Sequence, residues 1–181
     1  MWLIAGLVVT MCLVHLVNIT TPGGLSGLGI VPRSVEGSFG ILIAPFIHAS
    51  AAHLVSNLVA LCFFTAISLL RSVKFYLVSS AFIIIVSGCL VWLLGRSASH
   101  VGASGWVFGL WSLSLAMAWF DRRLINMLLA LLVWLLYGGM VYGVLPTDSH
   151  VSYEAHFFGA VAGILFAYIY SQLGVKQKNK G

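Results

Sequence analysis

The 181-residue chain is 61% hydrophobic and only 7% charged, with a mean hydropathy of +1.07, whereas an ordinary soluble domain carries about 25% charged residues. These figures exclude a soluble globular enzyme and predict an all-α integral membrane protein, because at about 20 residues per helical span the chain holds about six or seven spans and little else. The net charge of +5 does not indicate a nucleic-acid partner: the nine Lys and Arg sit in short clusters between apolar runs and read as topology signals.

In chain order, Met1 to Val17 reads as a span rather than a signal peptide, since no basic region precedes it and no A-x-A-like site lies ahead of Thr20. Asn18 to Gly40 is a polar, glycine-rich loop. Leu54 to Leu70 is the second span, closed by Arg71 and Lys74, and Phe75 to Leu94 is the third. Ser104 to Phe120 is the fourth, ended by Asp121, Arg122 and Arg123. Leu124 to Leu145 is the fifth, stopped at Pro146, and His156 to Leu173 is the sixth, ahead of Lys176, Lys178 and Lys180. Residues 1–181 thus read as one membrane-embedded six-helix domain. Seven cations, Arg71, Lys74, Arg122, Arg123, Lys176, Lys178 and Lys180, fall on one side, and Arg33 and Arg96 on the other. The positive-inside rule then puts both termini in the cytoplasm. Cys12, Cys62 and Cys89 lie within apolar runs and read as packing residues. Trp2, Trp92, Trp106, Trp119, Tyr153 and Tyr170 lie near span ends and read as interface anchors.

Polar groups at membrane depth are costly to desolvate and are functional candidates. Five stand out: His48, His53 and Asn57 at or just inside the second span's start, Ser104 at the fourth's and His156 at the sixth's. All three span starts fall at the outer face. Gly102-Ala103-Ser104-Gly105 has a plain reading as a helix start, with Ser as cap, and the G-x-S-x-G elbow is not matched because Trp106 replaces its second Gly. However, Gly105 and Gly109, and Gly159 and Gly163, form two G-x-x-x-G faces that permit close helix packing in lipid. If those faces meet, Ser104 and His156 meet at the outer end of the contact. Serine needs a base to take its proton, and a neutral imidazole suits that task.

The backbone N–H of Ser104 at a helix N-terminus is one oxyanion donor. His53 and Asn57, four apart and on one helix face, can each supply another. A metal site is the competing reading of the histidines, but His48 and His53 are five apart and H-E-x-x-H is absent. A plain reading, in which they cap the span or bond loop carbonyls, stands beside both. Glu154 and Asp148 read as solvated loop acids. His15 reads as snorkelling to the interface, and His100 and His150 as loop residues.

Taken together, His48-x4-His53-x3-Asn57, then Gly102-Ala103-Ser104-Gly105-Trp106-Val107-Phe108-Gly109, then Ala155-His156-Phe157-Phe158-Gly159-Ala160-Val161-Ala162-Gly163 resemble the rhomboid family of intramembrane serine proteases, from about Phe46 to Tyr170. The resemblance implies a minimal bacterial six-helix bundle in the inner membrane, with an outward-opening active site that cleaves transmembrane-helix substrates near their outer ends, without metal or cofactor. By position it implies Ser104 as nucleophile, His156 as base, and His53 and Asn57 with the Ser104 backbone as the oxyanion hole. It further implies that Phe108 stacks on the base, that His48 has a structural or oxyanion role, and that Gly159 and Gly163 make a close helix contact. The Trp-Arg pair that many members carry in the first loop is replaced here by Phe39-Gly40. Two other readings are a catalytically silent rhomboid-like protein that binds membrane helices and, with less support, a small transporter or channel subunit.

Overall fold

The computed structural model describes residues 2–146 and 151–178, with side chains to Gly174. Asp148, His150 and Lys180 lie outside those residues. The described chain is helical, with one isolated antiparallel bridge between Ile30 and His100. Helix α1 spans Trp2–Thr20. After a 3-10 turn at Ser26–Leu28 come two four-residue helices, α2 (Val35–Ser38) and α3 (Gly40–Ile43), and a second 3-10 turn at Ala44–Phe46. The longer helices follow: α4 (Ala51–Leu69), α5 (Val73–Leu94), α6 (Ser104–Phe120), α7 (Leu124–Tyr137), continued as a 3-10 helix over Gly138–Val144, and α8 (Tyr153–Lys178).

Among the described residues, five stretches are long and apolar enough to cross a membrane: Trp2–Thr20, Ala51–Leu69, Val73–Leu94, Leu124–Val144 and Tyr153–Gly174. α6 is shorter, at 17 residues, and lies at the centre. Every residue from Ser104 to Ser114 is buried, and α4, α5, α7 and α8 all pack on it. A helix that is apolar all round belongs inside a bundle, and Leu61 and Phe64 of α4 and Ile83 of α5 close the core around its own Leu110 and Leu113. α1 and α7 instead expose large apolar side chains such as Val9, Leu13, Leu128 and Leu135, a surface that lipid accepts and water does not. This is an all-α membrane bundle.

Two glycine faces set the spacing of α6 and α8. A methyl group at Gly159 would overlap the Gly105 carbonyl, and one at Gly163 would overlap the Gly109 carbonyl, so the helices meet backbone to backbone.

Several boundaries differ from the sequence reading. α4 begins at Ala51, three residues ahead of the expected start, because the Ser50 hydroxyl caps it by accepting the His53 N–H at 3.2 Å. α8 likewise starts three residues early, at Tyr153. The expected loop from Asn18 to Gly40 contains α2, begins α3 at its last residue, and is tightly anchored. Arg33, at φ +60°, donates to the carbonyls of Leu93 (3.3 Å) and Gly95 (2.9 Å) at the negative end of α5. Trp92 adds to this anchoring, its indole N–H donating to the Ser34 carbonyl at 2.7 Å. Trp106 is buried against Tyr76, and Trp2 and Trp119 are exposed. Cys12 is exposed rather than packed.

At the opposite end of the bundle from the start of α6, Arg71 pairs with Asp121 (3.5 Å) and donates to Asn126 Oδ1. Asn126 Nδ2 donates to the Asp121 carbonyl at 2.5 Å. This network ties the ends of α4 and α6 to the start of α7.

Candidate active site

The chain enters α6 through a turn that only glycine takes without strain. Gly102 has φ +115°, a region L side chains rarely adopt, and a Cβ there would lie 2.6 Å from His53 Cε1 and 2.8 Å from Nε2. Two backbone donors of the turn are held from elsewhere: the Gly102 N–H by the Ala44 carbonyl (2.9 Å) and the Ala103 N–H by His48 Nε2 (3.4 Å). Ala103, not Ser104, occupies the cap position of α6, and no side chain caps the helix. The Ser104 hydroxyl is therefore not spent on capping. It makes no hydrogen bond among the described residues.

His156 stands in the second turn of α8. Its Nδ1 lies 2.8 Å from the Gly143 carbonyl, which only accepts, so Nδ1 carries the proton and the neutral ring keeps its lone pair on Nε2. Phe108 stacks on the imidazole at 4.1 Å between centroids and 6° between planes. Gly143 must be small, since a Cβ would lie 2.6 Å from Phe108 Cζ. The ring is thus fixed on one face and at one nitrogen.

Ser104, His156, His53, Asn57 and Phe108 all line one cavity of about 810 Å³, a volume in the range of ligand sites. The start of α6 and the start of α8 touch beside it, with a Gly105 Cβ position 3.1 Å from the Ala155 carbonyl. Asn57 Nδ2 is buried with no partner among the described residues, and it lies 3.6 Å from the Gly102 Cβ position. The N-terminal turn of α6 adds unpaired N–H groups and the positive end of a helix dipole. The arrangement presents a hydroxyl, an oriented imidazole and several donors to one space. It has the parts for acyl transfer.

His48 is placed differently from the other histidines. It lies in the extended stretch before α4, not on a helix, and is fully buried. Because its Nε2 accepts from Ala103, its Nδ1 carries the proton and faces the Phe46 carbonyl at 3.3 Å. Both ring nitrogens are thus committed to backbone. Burial, and secondarily the neighbouring His53, push its pKa down to about 4, so it stays neutral at ordinary pH. The His48 carbonyl in turn accepts from Asn18 Nδ2 at 3.0 Å, and Asn18 Oδ1 accepts the Leu25 N–H at 2.6 Å. Among the described residues no group of three or more His, Cys, Asp or Glu has the geometry to hold a metal ion.

Two side chains depart from the sequence reading. His15 does not snorkel: it is buried and its Nδ1 has no partner among the described residues. Glu154 is not a solvated loop acid. It is buried in the first turn of α8, 3.6 Å from Arg96, whose guanidinium also donates to the Val151 carbonyl at 2.8 Å. Sequence reasoning missed Asn18, Ser152 and the Gly143 carbonyl altogether. A main-chain acceptor carries no residue-type signal, and a polar residue at a helix end reads as an ordinary cap.

A family model described as Rhomboid domain matches residues 36–173. The chain is 31% identical to the Uncharacterized protein Rv1337 of Mycobacterium tuberculosis, over 94% of this chain and 77% of that protein. The Uncharacterized protein Mb1372 of Mycobacterium bovis gives the same figures, 31%, 94% and 77%. The Uncharacterized protein ML1171 of Mycobacterium leprae is 29% identical over 94% of this chain and 73% of its own length.

Proposed function

The chain belongs to the rhomboid family, and from that premise we propose that it is an intramembrane serine endopeptidase that cleaves transmembrane helices near the outer face of the membrane. The observation that carries this reading is the state of the two reacting groups. An uncommitted Ser104 hydroxyl and an imidazole clamped by Phe108 and the Gly143 carbonyl share one cavity.

In the proposed reaction, Ser104 Oγ attacks the scissile carbonyl carbon while its proton passes to His156 Nε2. The imidazolium is stabilised by the Gly143 carbonyl at Nδ1–H, so no acidic third residue is required. The oxyanion takes hydrogen bonds from the Ser104 N–H, Asn57 Nδ2 and the His53 ring, each donor being worth about 3 kcal/mol in such sites. Collapse breaks the C–N bond and the His156 proton leaves with the amine. Water, deprotonated by the same nitrogen, then attacks the acyl carbon, and the proton returns from His156 to Ser104 Oγ as the acid product leaves. Water is absent from the bilayer core, so a shallow, open cavity is required. A substrate helix must also unwind at the cut, which favours segments weakened by Gly or Pro.

This reading takes the single domain as six spans with both termini in the cytoplasm of a bacterial inner membrane. The alternative is a relative without catalysis that binds membrane helices. The deciding test incubates purified protein with a single-span substrate beside Ser104→Ala. The protease reading expects product only from the parent, and equal product from both would remove it. EDTA should leave the rate unchanged.

A further inference from the structure

The proteolytic chemistry uses His156 and His53, and His48 is spent on the turn before Ser104. Two more buried histidines remain, His15 in α1 and His100, and the second of them stands next to the catalytic segment. It lies four residues ahead of Ser104, on the segment joining α5 to α6, and is 3% exposed. Its Nε2 is 3.1 Å from the Arg96 carbonyl, and its Nδ1 is 2.6 Å from Ser152 Oγ.

The proton positions follow from chemistry. A carbonyl only accepts, so Nε2 carries the hydrogen and Nδ1 is the acceptor. Ser152 Oγ donates to it, and the same oxygen accepts the Ala155 N–H at 3.3 Å. The result is a directed chain from the Ala155 amide through Ser152 and His100 to the Arg96 carbonyl. Each member of it is satisfied, as buried polar groups require.

The two ends of this chain are informative. Ser152 sits just before α8, where its hydroxyl holds an N–H of the first turn, and its carbonyl accepts the His156 N–H at 3.3 Å. His100 is also the residue that bridges to Ile30, with both backbone bonds at 2.9 Å. The segment delivering Ser104 is thus linked through one imidazole to the turn delivering His156, 52 positions further along the chain.

We propose that His100 is a positioning residue that acts through Ser152 to fix the start of α8, and with it His156, against the segment that carries Ser104. The role rests on the proteolytic reading of the site. It differs from that of His48, which holds the turn at Ala103 and makes no hydrogen bond to α8 among the described residues. Displacing a catalytic group by about an ångström can cost about a hundredfold in rate, so one bond between the two carriers matters.

The test uses the full-length protein in detergent with a single-span substrate, a fluorophosphonate probe for the active serine, and amide hydrogen exchange. His100→Ala should lower kcat about tenfold to a hundredfold with KM near the parental value. It should slow probe labelling, and it should raise exchange in residues 153–157 together with residues 101–104. His100→Asn, whose Oδ1 stands where Nδ1 stood and can accept from Ser152, should keep most of kcat, whereas His100→Gln, which imitates Nε2, should not. Combining His100→Ala with Ser152→Ala should cost no more than the worse single change, because both remove one link.

Equal kcat for the Asn and Gln variants would overturn the role, as would faster exchange confined to residues 96–104. The Asn and Gln pair covers the case in which His100→Ala does not fold. A parent as inert as Ser104→Ala would instead remove the protease reading, and the exchange measurement would still decide whether His100 holds α8.

Discussion

Asn57 brings an amide to the cavity with nothing in the described protein to receive it. A bare buried donor costs about 1–3 kcal/mol, and such a cost at a cleft suggests a partner that arrives with substrate. Asn57→Ala should therefore lower kcat by about 10²–10³ in steady-state cleavage while leaving the melting temperature unchanged or raised. His48 behaves oppositely. Its folded pKa, pushed down to about 4, lies below the unfolded value near 6.5, so its neutral form stabilises the fold above pH 6.5 and that contribution is lost as pH falls toward 4. Thermal melts between pH 7 and 4 should show a steep loss for the parent and a shallower one for His48→Gln. The sequence marked both residues as polar groups near a span start, but it could not separate them. What divides them is that His48 precedes the helix and turns both nitrogens to backbone, whereas Asn57 lies on the helix face lining the cavity.

The contact between α6 and α8 has no side chain in it at four places. Gly159 and Gly163 let the Gly105 and Gly109 carbonyls lie where a methyl would be, and a Cβ at Gly105 or Gly109 would lie 3.1 Å from the Ala155 or Gly159 carbonyl. Overpacking of this kind costs about 1–3 kcal/mol, and unfolding in detergent should show Gly159→Ala and Gly163→Ala destabilised by about that much, with activity falling as Ser104 and His156 separate. Gly102→Ala should damage turnover more than stability, because it crowds His53 at the turn of positive φ. The small-residue pairing was legible from four-residue spacing alone. The short helices α2 and α3 were not, because four residues are too few to express a helical period, and their anchoring comes from Arg33 and Trp92, residues far from each other in sequence. The change from α to 3-10 geometry at Gly138 was equally hidden inside one apolar run.

Across the molecule, charge and polarity are distributed by end. The cavity and the buried histidines occupy one end, and the Arg71–Asp121–Asn126 network closes the other. The proposed orientation places the second end in the cytoplasm. A fluorescent-protein fusion at the C-terminus should therefore fold and glow, and an alkaline phosphatase fusion after residue 98 should be active. The reverse pattern would invert the topology. Hydropathy located the spans because lipid imposes a length. It said nothing of Glu154, whose burial depends on Arg96 arriving from a distant segment.

The group that aims the imidazole belongs to the peptide bond at position 143 and not to any side chain. No change of codon deletes an amide oxygen. A survey by alanine replacement would remove the side chains around the ring one by one and leave that acceptor in place. It can be lost only by moving, so whatever bends the segment between Tyr137 and Val144 also retunes the basicity of the ring, and conformation there becomes a direct control on proton transfer.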